Sequence, residues 1–176
     1  IKGIAGDAGR YTPRSGKNLP DPVTFLCRAG EGGDMKQRVL FIGTNNAART
    51  QMAEGYLRGR YGDRYEACSA GIAPTALDPL AARVMAEIGI GIAGQRAKDL
   101  SLFDGKEMDY VVTLCAGGVC PMFPWTKETI HVDFPDPTRA TGTPDKVLAT
   151  YRRSRDAITA WIDRQFGGAT DGTSGA

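Results

Sequence analysis

The apolar positions along this chain alternate between two rhythms. The run Arg38-Val39-Leu40-Phe41-Ile42 is β-branched and apolar with no polar alternate, so it predicts a strand with no wet face. Small and polar residues fill 43–48. A helical pattern follows from about Thr50 to Tyr61, with Met52, Ala53, Tyr56 and Leu57 on one side. Residues Tyr65 to Ala70 read as a weaker second strand that stops at Gly71. The next helix is the best punctuated. Asp78 caps it, Pro79 takes the first turn and Gly89 ends it, and its stripe is Leu80, Ala81, Val84, Met85 and Ile88. Third and fourth strands are expected over Tyr110 to Leu114 and Thr129 to Phe134. A last helix opens at Pro144 after Thr143 and buries Val147, Leu148, Tyr151, Ile158, Trp161 and Ile162. Strands alternating with helices predict an α/β fold with a parallel sheet covered on both sides.

The two ends do not share this patterning. Residues 1–34 carry seven Gly and three Pro, and their one short apolar run is Val23 to Cys27, so an irregular arm is expected there. The folded domain is expected over residues 35–166, opening at Met35, with a disordered tail from 167 to 176. With 176 residues the chain has one domain's worth of core. Lys plus Arg number 22 and Asp plus Glu 20, a net charge of +2 that argues for neither nucleic acid nor a membrane surface. No apolar run approaches the roughly 20 residues that span a bilayer. The expected location is the cytoplasm.

Four cysteines occur, at 27, 68, 115 and 120, and in that compartment they are expected as thiols, metal ligands or redox groups. Cys68 reads as a small apolar group in the second strand. The one histidine, His131, sits in a strand-like run. A zinc site from Cys115, Cys120 and His131 would lack a good fourth ligand. No G-x-G-x-x-G follows the first strand, which argues against a dinucleotide, and no cofactor is expected.

The segment Gly43-Thr44-Asn45-Asn46-Ala47-Ala48-Arg49-Thr50 joins the first strand to a helix start. Such a loop can surround a tetrahedral oxyanion with backbone N–H groups and the positive end of a helix dipole. Arg49 can add a bidentate fork. The loop resembles the phosphate loop of the low-molecular-weight tyrosine phosphatase family, whose pattern is Cys, five residues, Arg, then Ser or Thr. The Arg and the Thr are present as Arg49 and Thr50, and Gly43 stands where the family has its nucleophilic Cys.

The resemblance runs further. Arg49-Thr50-Gln51-Met52-Ala53-Glu54-Gly55, Ser69-Ala70-Gly71, Asp78-Pro79-Leu80-Ala81, Val111-Val112-Thr113-Leu114-Cys115 and Phe134-Pro135-Asp136-Pro137 are similar to the arsenate-reductase branch, in the right order over about Val39 to Phe166. It implies a flavodoxin-like three-layer α/β/α fold with four parallel strands in the order 2-1-3-4. It also implies arsenate or phosphate as ligand, thioredoxin or a similar reductant as partner, Cys115 and Cys120 as a redox pair, and Asp136 as a general acid. In that branch an Asn, a Glu, a Ser and an Asp hold a monovalent cation; Asn46, Glu54, Ser69 and Asp99 match them. A covalent mechanism that loses its nucleophile commonly loses on the order of a million-fold in turnover. Three readings therefore compete: a reductase with an altered first step, a non-catalytic oxyanion-binding module, and an ordinary reductase in which Gly43 is a replacement. A tyrosine phosphatase is the other enzyme class, disfavoured by the cysteine pair and by the lack of a cluster of aromatics around Asp136 to grip a phosphotyrosine ring.

Overall fold

The computed structural model describes residues 36–114 and 121–168. The expected arm, the domain start at Met35, Cys27, Cys115, Cys120 and most of the tail lie outside the described residues. Four strands, β1 (Gln37–Gly43), β2 (Tyr65–Gly71), β3 (Met108–Thr113) and β4 (Thr126–His131), form one parallel sheet in the order β2-β1-β3-β4. Three helices accompany it: α1 (Arg49–Tyr61), α2 (Pro79–Ala86) and α3 (Pro144–Phe166). Two short 3-10 turns lie at Leu100–Phe103 and Pro137–Arg139.

Alternation within the strands builds both cores. Val39 and Phe41 of β1 pack with Ala67 and Val112 beneath the helices, against Met52 and Leu57 of α1, Val84 and Met85 of α2, and Ile158 and Ile162 of α3. Their neighbours Leu40 and Ile42 face the other way and meet Cys68, Ala70, Val111, Met108, Phe103 and Phe123. Both faces of β1 are thus dry, as its unbroken apolar run requires. The second face is closed by the 3-10 turn and Phe123.

The caps behave as their residue types dictate. The Asp78 carboxylate accepts from the N–H of Leu80 at 2.8 Å and of Ala81 at 3.3 Å, and Pro79 takes the first turn of α2. Gly89, at φ 76°, turns the chain away in the left-handed region. Ile88, expected in the buried stripe, falls past the helix end and is 41% exposed.

β4 is the clearest departure. The expected strand Thr129 to Phe134 follows the alternation of Ile130, Val132 and Phe134, but the strand occupies Thr126–His131. The partner decides this. β3 pairs from Met108↔Thr126 to Thr113↔His131, and no β3 residue is left beyond Thr113 for β4 to pair with. Phe134 is still buried, but as a loop residue.

Candidate functional site

β1 ends at Gly43 and α1 begins at Arg49, so five residues bridge strand and helix at the carboxyl edge of the sheet. In open α/β sheets this edge is where ligands sit. Every carbonyl of residues 43–48 is occupied. Gly43 O accepts from Ile72 N (3.2 Å), Thr44 O from Ala73 N (2.9 Å), Asn45 O from Thr75 N (3.0 Å) and Ala47 O from Asp78 N (3.0 Å). Ala48 O accepts from Met52 N (2.9 Å), and Asn46 O from the Gln51 side chain (2.9 Å). Among the described residues, no N–H from Thr44 to Arg49 donates to a protein acceptor. The loop's acceptors are therefore all occupied, which leaves its N–H groups free to donate to a ligand. The start of α1 carries no side-chain cap and no acidic residue in its first turn, so its dipole end is unshared.

The hollow has a volume of about 60 Å³ and is lined by residues 43–50 together with Leu114, Asp136 and Thr138. That admits a small oxyanion and is far below the roughly 300–1,000 Å³ of pockets for larger ligands. Arg49 lies at its rim. Its Nη1 donates to Phe134 O at 2.8 Å and its Nη2 pairs with Asp136 Oδ2 at 3.1 Å. The other Asp136 oxygen accepts from the N–H (3.1 Å) and hydroxyl (2.8 Å) of Thr138, capping the second 3-10 turn. Strand-loop-helix and Asp-Pro loop are thus joined through one guanidinium.

Asn46 holds the loop's shape. It is 2% exposed with φ 47°, a conformation that asparagine tolerates better than most residues. Its Nδ2 donates to Thr50 Oγ1 (2.9 Å) and Ser69 Oγ (2.8 Å); its Oδ1 accepts from Lys98 N (2.8 Å) and Gln51 Nε2 (3.0 Å). All of its hydrogen-bonding capacity is used. Gly71 is a close approach of another kind. A Cβ there would lie 2.7 Å from Thr44 O and 3.0 Å from Asn46 N, so the loop could not rest on β2 if residue 71 had a side chain.

The four residues matched to a cation site divide. Asn46 and Ser69 meet, and Ser69 Oγ donates to the buried Glu54 carboxylate in a short bond. Asp99 turns its carboxylate outward to Ser101 N (2.9 Å) and Ser101 Oγ (2.7 Å), and these bonds hold its pKa below the ordinary value. The Lys98 ammonium lies 3.0 Å from Glu54 Oε2 and also donates to Arg96 O at 3.2 Å. Lys98 is 5% exposed. Arg58 pairs with the other Glu54 oxygen at 2.8 Å.

The structure brings residues 43–50 and Asp136 together around one hollow with Thr138, and beside it lie Lys98, Gln51 and Gln95, which the sequence reading did not single out. Gln51 is fully buried and bonds Arg96 O (2.9 Å) and Gln95 Nε2 (2.6 Å). A polar residue amid the buried positions of α1 was the available signal. Cys68, the one cysteine among the described residues, is buried with Leu40 and Ala70, but as a disulfide-bonded residue and not as the small apolar thiol expected. His131 Nδ1 is hydrogen-bonded to Thr113 Oγ1.

A family model described as low molecular weight phosphotyrosine protein phosphatase matches residues 38–164, which takes in the whole sheet, the hollow and nearly all of α3. The chain belongs to this family. An arsenate reductase from Halalkalibacterium halodurans is 41% identical over 125 residues, 70% of this chain and 90% of that protein. A solved arsenate reductase in its phosphate-binding state is 25% identical at a TM-score of 0.66, covering 76% of this chain and 99% of that one. A thioredoxin-dependent arsenate reductase of Corynebacterium glutamicum is 26% identical at a TM-score of 0.51, covering 80% and 68%.

Proposed function

We propose that this family member is an arsenate-reductase-like protein that binds arsenate and phosphate in the Gly43–Thr50 loop, and that the loop nucleophile of the reaction's first step is lost at Gly43. The observation that carries the reading is the bonding of the loop: all six of its carbonyls are occupied, no N–H from Thr44 to Arg49 has a protein acceptor among the described residues, and the same residues line a small hollow with Arg49. Such donors are fixed before the ligand arrives, so they cost little reorganisation on binding. The relatives named as arsenate reductases support the ligand class.

Cys115 and Cys120 are the redox pair of this proposal, with thioredoxin or a similar reductant as partner and the cytoplasm as location. The step would run directly on the bound oxyanion. The Cys115 thiolate attacks arsenic and hydroxide leaves, taking up a proton for which Asp136 is the proposed donor. The Cys120 thiolate then attacks the Cys115 sulfur, and arsenite departs with the electron pair as a disulfide forms. Thioredoxin's dithiol reduces that disulfide. The hollow has no aromatic ring among its described lining residues, which favours a bare oxyanion over a phosphotyrosine. Asn46, Ser69 and Glu54 are linked by hydrogen bonds, and we assign the place of the expected cation to the Lys98 ammonium.

The test is arsenite production with a thioredoxin system. A Cβ at residue 43 would lie 2.9 Å from Thr50 Cγ2, so in Gly43→Cys the buried Thr50 side chain must give way. Gly43→Cys is expected to release arsenite on the order of a thousand-fold or more above the native chain. Cys115→Ala in either background should abolish what is formed. No arsenite from Gly43→Cys, with phosphate still bound, would end the reductase reading and leave an oxyanion-binding protein.

A further inference from the structure

The hollow has a neighbour. Asp136 is also a wall of a cleft of about 430 Å³ between the second 3-10 turn and the first half of α3. Its other charged lining residues are Arg139, Lys146 and Arg153, and all three are exposed. Among the described residues none of the three has a carboxylate partner. Arg153 donates only to the Thr150 hydroxyl at 2.8 Å, and Thr150 in turn donates to Lys146 O at 3.1 Å. On the same helix two other cations, Arg152 and Arg155, are neutralised. Arg152 is held by Glu87 at 2.7 Å, and Arg155 by Glu87 at 3.0 Å and Asp156 at 2.7 Å. The one carboxylate on the cleft wall, Asp136, already faces Arg49. Three unpaired cations therefore converge on a cleft that shares a wall with the oxyanion loop, and the cleft's volume lies in the range of small-molecule sites.

We infer that this cleft is a second anion subsite, and that the site as a whole takes a small ligand with two anionic groups: one tetrahedral group in the 43–50 loop and a second among Arg139, Lys146 and Arg153. The inference rests on the loop being an oxyanion site, and it extends that reading from bare oxyanions to polyphosphates and phosphorylated small acids. Guanidinium forks suit such a group because they bond its oxygens in pairs.

Calorimetric titration at about 0.15 M salt, where the Debye length is about 8 Å and remote charges are screened, tests it. Inorganic phosphate and inorganic tripolyphosphate are compared on the native chain, on Arg139→Gln/Lys146→Gln/Arg153→Gln, and on a charge-matched control, Arg38→Gln/Arg64→Gln/Lys127→Gln. The control cations lie at the opposite edge of the sheet, where β1, β2 and β4 begin. Tripolyphosphate is expected to bind the native chain at least about ten-fold more tightly than phosphate. The cleft triple variant should lose that excess while its phosphate affinity stays within about three-fold; the control should keep it. Tripolyphosphate no tighter than phosphate, or an excess that survives the cleft variant or is lost equally in the control, overturns the inference. If phosphate fails to bind but tripolyphosphate binds and depends on the three cations, the loop reading falls and the cleft stands. If neither binds, both fall.

Discussion

Replacing Asn46 by Ala separates backbone strain from hydrogen bonding at the position that shapes the loop. Four side-chain bonds are removed at once, to Thr50, Ser69, Gln51 and the Lys98 amide. Not all of them count equally. Ser69 keeps its bond to Glu54, and Gln51 keeps Asn46 O and Arg96 O. The Thr50 hydroxyl can turn. The Lys98 N–H, in a residue 5% exposed, is left without an acceptor, at a cost of about 1–3 kcal/mol. Loss of the remaining bonds adds about 1 kcal/mol net. Alanine at φ 47° adds a further cost of about 1 kcal/mol relative to asparagine. The sum is about 3–5 kcal/mol, a large share of the roughly 5–15 kcal/mol that holds a domain folded. Urea unfolding of the native chain, Asn46→Ala and Asn46→Gly reads it. Glycine removes the same bonds without the left-handed penalty, so it should lie above alanine by about 1 kcal/mol. A loss below about 1 kcal/mol in Asn46→Ala would refute the bonding argument, and equal stability of the two variants would refute the strain argument.

Two further predictions concern charge. Lys98→Met leaves the Glu54 carboxylate, itself 1% exposed, with Arg58 and Ser69 only; it should cost about 3 kcal/mol in urea unfolding, and a loss under 1 kcal/mol would show that the ammonium is not needed there. Glu87 has its pKa lowered to about 2, chiefly by the hydrogen bonds from Arg152 and then those from Arg155. Its folded value lies below its unfolded one, so its contribution is present above about pH 4.5 and is lost as pH falls toward 2. The stability difference between the native chain and Glu87→Gln should shrink across that window; a constant difference would contradict the assignment.

The parts of this site that were legible in the sequence are those whose residue types act locally. A strand with no polar alternate, six small or polar residues, then Arg49 and a helix can be read off because strand burial, loop and dipole each leave a mark in the chain. The carbonyl clamp was not legible. It is made by backbone N–H groups of residues 72–78, which carry no side-chain signature, and its one trace is Gly71. Asp99, expected beside Asn46, Glu54 and Ser69, turns its carboxylate to Ser101, and it is the preceding residue, Lys98, that meets Glu54. In an extended segment a one-residue shift reverses the side chain, and pattern matching cannot see which of two adjacent polar residues points inward. The end of β4 was hidden for a similar reason: its own alternation continues to Phe134, while the length of β3 stops the pairing at His131.

The claim on which the account depends is that the loop and Arg49 close on a small dianion. Calorimetric titration of phosphate into the native chain, Arg49→Ala and Arg49→Lys tests it most directly. The native chain is expected to bind one phosphate. Arg49→Ala should weaken that by about 2 kcal/mol or more, roughly 30-fold, and Arg49→Lys should recover only part because an ammonium lacks the fork. No binding by the native chain, or equal affinity in all three proteins, would contradict it.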